Sequence, residues 1–230
     1  MTKNFIDIYG IAFVDKIGGI TSHDVVDLFR KKLNIQRVGH AGTLDPLATG
    51  LLIILVGKYT LRQSEFIKLE KVYEGSINLG IETDTWDMDG KILKKNEVSK
   101  IKKENITWAI SLLSGNVHQR VPPYSAVKYK GETLYKLARK NQSVPVINRM
   151  VNIKWLSWEI NKNVLSFKIK CSSGTYIRSI AHHIGQLLGC GAALASLRRL
   201  EIGEYKLEQA TSVSVIEKMD YKSVVSLLKK

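Results

Sequence analysis

A glycine-rich stretch followed directly by an apolar run constrains this chain more than any other feature. Residues 39–50 read GHAGTLDPLATG, with three glycines and a proline in twelve positions. Glycine makes helix and plain strand unfavourable there, and Pro46 lacks an amide N–H and biases Asp45 towards an extended backbone. Residues 51–56, LLIILV, then predict a buried segment. Asp45 is therefore expected on a stiff loop at the rim of an apolar interior.

Two interpretations of Asp45 are compatible with these residues. A carboxylate at such a rim is a candidate nucleophile or general base, because its neighbours set its pKa. An aspartate in a turn also commonly accepts hydrogen bonds from nearby backbone amides and has no further role. The residues alone leave both interpretations open.

The overall charge points to a polyanionic partner. The chain has 230 residues and a formal net charge of +14, and the excess is spread along its length. Nucleic acid is the first candidate partner, and a lysine-rich composition without such a partner is the alternative. The length allows one large domain, or a main domain with a small appendage.

The cysteines and the termini indicate a cytoplasmic protein without a metal site. Cys171 and Cys190 fit a reducing compartment and form no metal-type pair, and the five histidines show no zinc pattern. The first residues lack the apolar core of a signal peptide, and residues 51–56 are too short to span a bilayer. We therefore expect a cytoplasmic location and no membrane partner.

Periodicity predicts alternating helices and strands along the rest of the chain. The expected strands are 10–16, 71–81, the hairpin 150–160 with 164–171, and 197–203. One expected helix is capped by Thr21, one spans 60–69, and one carries the stripe Ile106, Ala109, Ile110 and Leu113. A further helix is capped by Thr175 and ends near 188, and short helices are expected in 212–230. Residues 91–103 are expected to be mobile or helical at the surface, and 83–90 to form a turn ordered by aspartate side chains.

Residues 39–52 resemble the active-site motif of the tRNA pseudouridine synthase B family. That family reads G-H-x-G-x-L-D-P-x-A-T-G-x-L, and this chain matches the pattern through Leu52. The resemblance implies that Asp45 is the catalytic aspartate. It also implies that His40 helps to open the RNA loop and occupies the space that the flipped base vacates.

A second stretch, residues 171–181, resembles the family's C-S-x-G-T-Y-I-R-S-L-A motif. It places Tyr176 and Arg178 in the first turn of a helix, where a cation opposes the helix dipole and needs another reason, such as a carboxylate partner. The resemblance implies that this partner is Asp45. It also implies that Tyr176 completes the wall of the pocket.

Two further candidate substrate-binding residues come from weaker matches to the family. Tyr73 lies in a stretch similar to the family's K-x-Y followed by L-G, and the resemblance implies that its ring stacks on the extruded uracil. Lys128 lies in a stretch similar to Q-x-P-P-x-Y-S-A-x-K and is a candidate phosphate contact, with Tyr135 nearby expected in the core.

The resemblance implies the mixed α/β (α+β) pseudouridine synthase fold, with a central, mostly antiparallel sheet, flanking helices and a catalytic cleft. It implies isomerisation of uridine to pseudouridine in the T loop of tRNA, at the position conventionally numbered 55. The T arm is then the partner, with no cofactor, no metal and no obligate protein partner. Residues 1–211 would form the catalytic domain and residues 212–230 a short helical tail, without the RNA-binding module of PUA type that full-length bacterial members usually carry.

Two alternative functions remain open from the sequence. A non-catalytic RNA-binding or tRNA-folding protein on the same scaffold would be insensitive to Asp45→Asn but sensitive to charge reversal at Lys128 or Arg199. A pseudouridine synthase acting on another RNA, such as ribosomal RNA or the target of a guided complex, would keep the same chemistry.

Overall fold

The computed structural model describes residues 8–140 and 142–230. The chain divides into two compact units: the first comprises the described residues up to Tyr73 together with Leu197–Lys230, and the second comprises Glu74–Ser196. Within the described residues, no helix has both the length and the apolar character that crossing a membrane requires.

The first unit starts with a strand and a helix whose limits are set by local chemistry. Its N-terminal elements are β1 (Gly10–Lys16), α1 (Ser22–Leu33), β2 (Val38–Ala41), β3 (Thr49–Val56), a 3-10 helix (Gly57–Arg62), α2 (Gln63–Ile67) and the start of β4 (Lys71–Leu79). Thr21 and Asp24 form a capping box before α1, and Asn34 ends the helix in the left-handed conformation. The predicted cap of α1 at Thr21 is confirmed.

Strand β3 is the centre of the first unit. It pairs with β1 in antiparallel register from Gly10↔Val56 to Lys16↔Gly50, and β2 pairs with it from Val38↔Val56 to Ala41↔Ile53. Every side chain from Leu51 to Val56 is fully buried, as the apolar run predicts. Because β3 has neighbours on both edges, the loop that leads into it starts and ends on fixed backbone.

The second unit contains most of the remaining helices and strands. They are β5 (Ile81–Thr83), β6 (Ile92–Lys95), α3 (Lys103–Leu112), β7 (Gly115–Arg120), β8 (Lys128–Tyr129), β9 (Glu132–Thr133), α4 (Leu134–Arg139), β10 (Asn148–Asn161), β11 (Val164–Cys171), α5 (Ile177–Leu187) and β12 (Ala192–Ile202). The chain then returns to the first unit with β13 (Tyr205–Lys206), a 3-10 helix (Leu207–Gln209), β14 (Thr211–Ser212), α6 (Val213–Lys218) and α7 (Tyr221–Ser226).

The sheets confirm a mixed α/β fold with mostly antiparallel strand pairs. The strand order is β14-β1-β3-β12 in the first unit and β12-β4-β11-β10-β7 in the second, with β4 and β12 each continuing from one unit into the other. Parallel pairing occurs between β1 and β14 and between β3 and β12. The predicted hairpin is confirmed as β10 and β11, and Lys162 takes the left-handed conformation in its turn. The predicted limit of the catalytic domain at residue 211 stays a prediction.

Three sequence predictions differ from the structure. The lysine-rich segment contains strand β6, because Ile92 and the lysines after it pair with β5. Strand β4 ends at Leu79, since Gly80 turns the chain with a φ of 85°, and Ile81 belongs to a separate sheet. Helix α5 begins at Ile177 with Tyr176 as its N-cap, one residue later than predicted.

Candidate active site

The loop that carries Asp45 connects β2 to β3 in the first unit. The amide of Ala48 donates to the carbonyl of Asp45 at 3.0 Å, which closes a tight turn with Pro46 in its second position. The side chain of Asp45 is half-buried. The backbone of the turn is therefore self-supporting, as its proline and glycines predict.

Ser22 fixes the backbone immediately before Asp45. Its hydroxyl accepts from the amide of Leu44 at 2.9 Å and donates to the carbonyl of the same residue at 3.1 Å. Ser22 and Leu44 are both buried, and Ser22 is the first residue of α1. The position of Asp45 is thus tied to the start of a well-capped helix.

Lys16 fixes the backbone immediately after Asp45. The side chain is buried, and Nζ donates to the carbonyls of Ile17 at 2.9 Å, Ile20 at 2.7 Å and Pro46 at 3.3 Å. Burial lowers the pKa of Lys16 to about 8, although the negative charge of Asp45 acts in the opposite direction. A buried ammonium that holds the Asp45 turn is therefore poised to lose its proton at mildly alkaline pH.

This pKa predicts a loss of catalytic activity above neutral pH. Below a pH of about 8, Lys16 is charged and holds the carbonyl of Pro46; above it, the charge beside Asp45 disappears. We expect kcat to fall by about tenfold between about pH 7 and pH 9.5. In Lys16→Arg the guanidinium does not titrate in this range, so the fall near pH 8 should vanish even if the variant is slower overall. An unchanged alkaline limb in Lys16→Arg would assign the titration to another group.

Arg199 lies under the same loop and is buried rather than exposed. Its side chain, in a residue only 1% exposed, donates from Nε to the carbonyl of Leu51 at 2.7 Å and from Nη2 to the carbonyl of Gly42 at 3.0 Å. Charge reversal at Arg199 would therefore disturb the loop itself, so the sensitivity expected of a non-catalytic binding protein at this position stays a prediction. The backbone of Arg199 also lies so close to β3 that a Cβ at Gly50, whose φ is 99°, would come within 2.3 Å of the Arg199 carbonyl oxygen.

His40 is a half-buried, neutral ring on β2. Its carbonyl accepts from Nε2 of Gln63 at 2.7 Å, and its Nδ1 is buried without a hydrogen-bond partner in the described part of the chain. Burial, with the positive charges of Arg199 and His23, lowers the pKa of His40. Tyr73, the last residue of the N-terminal segment of the first unit, is 8% exposed on β4.

Arg178 is a buried cation of the second unit. It lies in the first turn of α5, and its Nη1 and Nη2 donate to the carbonyls of Thr85 and Tyr124, each at 3.0 Å. Its Nε is 3.5 Å from Oδ2 of Asp87, and both side chains are less than a tenth exposed. The structure therefore supplies Asp87 as a carboxylate partner that offsets the unfavourable helix dipole. The pairing of Arg178 with Asp45 stays a prediction.

The segment that carries Asp87 is ordered by its own aspartates, which confirms the predicted turn. Oδ1 of Asp84 accepts from the amide of Lys91 at 2.8 Å, and Oδ1 of Asp87 accepts from the amide of Asp89 at 3.2 Å. The hydroxyl of Thr83 donates to the carbonyl of Asp87 at 2.7 Å. These hydrogen bonds hold Asp87 in the position in which it faces Arg178.

Tyr176 and Lys128 occupy different environments in the second unit. The backbone of Tyr176 is held by buried Gln119, whose Oε1 accepts from its amide at 2.7 Å and whose Nε2 donates to its carbonyl at 3.1 Å. Lys128 is exposed on the short hairpin of β8 and β9. The prediction of Tyr135 in the core is wrong, because Tyr135 is half-buried and the adjacent Leu134 is the fully buried residue.

Comparison with known families decides the relationship of this chain. Residues 30–177 match the N-terminal domain of the TruB family of pseudouridylate synthases, and residues 178–227 match the C-terminal domain of tRNA pseudouridylate synthase B. The chain belongs to the TruB family. The predicted family is confirmed.

Individual relatives of this TruB-family chain match most of its length. It is 44% identical over 214 residues to tRNA pseudouridine synthase B of Opitutus terrae. The aligned residues make up 92% of this chain and 88% of that protein. It is 41% identical over 213 residues to the protein of the same name from Endomicrobium trichonymphae, and the aligned residues make up 91% of this chain and 92% of that protein. In a crystal structure of a Cbf5-Nop10-Gar1 complex, one chain matches 90% of this chain with a TM-score of 0.66 and 28% identity. This chain spans 53% of that solved chain.

Sequence analysis did not assign a supporting role to five buried residues of the candidate site of this TruB-family chain. They are Lys16, Ser22, Asp87, Gln119 and Arg199. Each is a polar or charged residue whose burial is not visible in the sequence. The predicted residues Asp45, His40 and Tyr73 lie in the first unit, and Tyr176, Arg178 and Lys128 in the second; their individual roles stay predictions.

Proposed function

We propose that this chain converts one uridine of the tRNA T loop, at the position conventionally numbered 55, to pseudouridine. The chain is an isomerase that acts on uridine in tRNA, as its membership of the TruB family establishes. The choice of the T loop rests on the resemblance of residues 39–52 and 171–181. The observation that carries the proposal is the half-buried carboxylate of Asp45 on a fixed turn. Ser22, Lys16 and Arg199 each form a hydrogen bond to the backbone of the loop that contains this turn.

The reaction explains why a fixed carboxylate is useful. The bond from N1 of uracil to C1′ of ribose breaks, the base turns, and a bond from C5 to C1′ replaces it. The C5 hydrogen leaves as a proton and N1 takes up a proton, so the product is an isomer of the substrate. Asp45 has three possible roles: attack on C1′, addition to the uracil ring, or removal of a proton from the sugar. All three require an ionised carboxylate held in one orientation, which a pinned turn supplies.

The remaining predicted residues have physical properties that suit binding of a flipped uridine. Tyr73 offers a ring for stacking on the uracil, and Tyr176 completes the wall of the pocket. The lowered pKa of His40 favours its uncharged form, and an uncharged ring can stack in the space that the flipped base vacates. Arg178 orients the reacting groups, and exposed Lys128 contacts a phosphate.

The net charge of +14 supports RNA as the partner. Flipping a base costs a few kcal/mol, less in a loop than in a duplex, and contacts between basic side chains and phosphates offset that cost. We propose that the chain works in the cytoplasm and without an obligate protein partner. A role as a non-catalytic binder is less well supported, because a binder has no use for a carboxylate held in one orientation.

A T-arm stem-loop that carries tritium at C5 of its uridines tests the substrate. Formation of pseudouridine replaces the C5–H bond, so each turnover releases one tritium into water. We expect release from the stem-loop and none from a matched stem-loop in which only the target uridine is replaced by cytidine. Release from a ribosomal RNA hairpin but not from the T arm would favour the alternative of another RNA substrate.

A further inference from the structure

Trp86 has a backbone conformation that is unusual for a bulky residue. Its φ is 66°, in the left-handed region, where a large side chain is a genuine outlier. Asn34, Lys130 and Lys162 also have positive φ among the described non-glycine residues, but all three are exposed, whereas Trp86 is 6% exposed. Such a conformation persists only where the surrounding structure enforces it.

The side chain of Trp86 is held by a stack within the second unit. Its ring lies 4.1 Å from the ring of His182 at an interplanar angle of 5°, and the Arg120 guanidinium carbon is 5.5 Å from its centroid. Burial, together with the charges of His183 and Arg120, lowers the pKa of His182 to about 4. The imidazole is therefore neutral at physiological pH and stacks on the indole without the cost of a buried charge.

The backbone on both sides of Trp86 is fixed to β12. The carbonyl of Trp86 accepts from the amide of Leu194 at 3.0 Å, and the amide of Met88 donates to the carbonyl of Leu194 at 2.9 Å. These two bonds bracket Asp87 and fix its backbone against β12, so the φ of Trp86 determines where Thr85 lies relative to Asp87.

Arg178 contacts the chain on both sides of Trp86. Its Nη1 donates to the carbonyl of Thr85 at 3.0 Å, and its Nε is 3.5 Å from Oδ2 of Asp87. A change of φ at Trp86 would move these two partners of Arg178 relative to each other.

We propose that the Arg120–Trp86–His182 stack positions Arg178 for the reaction. The stack holds Trp86 in the left-handed conformation, which sets the Thr85 carbonyl and the Asp87 carboxylate at the spacing that grips the guanidinium. Trp86 is then a positioning residue that acts through Arg178, and this inference rests on the proposed function, in which Arg178 orients the reacting groups.

The test compares Trp86→Gly with Trp86→Phe in the tritium-release assay. Glycine tolerates a φ of 66° but provides no ring, so the segment is free to leave this conformation. We expect kcat to fall by about ten- to hundredfold with KM changed by less than about twofold, and Trp86→Phe to restore most of the loss. Trp108→Ala, which removes an exposed indole from α3, is the matched control and should leave kcat unchanged.

A double variant separates positioning from a general loss of structure. If Trp86 acts through Arg178, adding Trp86→Gly to Arg178→Lys should lower kcat by less than about twofold beyond Arg178→Lys alone. Full multiplication of the two effects, or a normal kcat in Trp86→Gly, overturns the inference. Should Trp86→Gly fail to fold, His182→Ala keeps the indole and should lower kcat by about three- to tenfold with unchanged KM; a normal kcat there overturns the inference as well.

The reaction of the wild-type chain distinguishes failure of the proposed function from failure of the inference about Trp86. Absence of tritium release by the wild-type chain from the T-arm stem-loop rejects the proposed function, and the inference with it. Release by the wild-type chain together with a normal kcat in Trp86→Gly rejects the inference alone.

Discussion

Asp45→Asn should abolish pseudouridine formation while RNA binding stays within about threefold of wild type. The amide has the shape of the carboxylate but neither its charge nor its basicity, so it cannot attack a carbon or take a proton. Loss of such a group lowers kcat by about 10⁴-fold or more. The turn itself should survive, because it is closed by the backbone carbonyl of Asp45 and pinned by Ser22, Lys16 and Arg199.

Single-turnover tritium release and filter binding on the same RNA measure the two quantities separately. Asp24→Asn is the matched control, because Asp24 is another carboxylate whose charge acts on Lys16 but which caps α1 at the surface. The control should keep at least about half of the wild-type rate. Turnover by Asp45→Asn at the wild-type rate would show that Asp45 takes no part in the reaction. Asp45 would then be an aspartate that only orders its turn.

Arg178→Met should lower the free energy of unfolding by about 3–5 kcal/mol and also abolish activity. The variant leaves the Asp87 carboxylate, only 8% exposed, without the charge that faces it at 3.5 Å. It also leaves the carbonyls of Thr85 and Tyr124 without their guanidinium donors. Urea unfolding followed by far-UV circular dichroism measures the loss.

The double variant Arg178→Met/Asp87→Asn tests whether the loss comes from the buried charge. Asparagine is neutral and keeps oxygen and nitrogen at the positions of the carboxylate oxygens, so the double variant should regain about 2 kcal/mol over Arg178→Met. Activity should not return, because the guanidinium is still absent. A double variant no more stable than Arg178→Met would contradict the ion pair with Asp87 as the source of the loss.

The elements that sequence predicted well are those specified by local pattern. Strand β3 follows from six consecutive apolar residues, α1 from a capping threonine and a 3.6-residue period, and the hairpin of β10 and β11 from alternation on both sides of a polar turn. Strand β6 (Ile92–Lys95) shows the limit of such patterns. Its lysines carry no period, and it is a strand only because β5 lies beside it.

The polar part of the candidate site was predicted less completely, because it depends on contacts between distant residues. Lys16 and Arg199 look like ordinary surface cations in the sequence, since charged residues are rarely buried. Their burial follows from the pairing of β1 and β12 with β3, which places both under the Asp45 loop. The partner of Arg178 shows the same limit, because the helix dipole argument required a carboxylate without specifying which one. The structure supplies Asp87.

Mapping of pseudouridine at single-nucleotide resolution on an unmodified tRNA transcript tests the central claim most directly. The transcript is incubated with the wild-type chain and, in parallel, with Asp45→Asn. The proposed function predicts one modified position, in the T loop, that is present with the wild-type chain and absent with the variant. Pseudouridine only outside the T loop, or none at any position while the RNA is bound tightly, would contradict it.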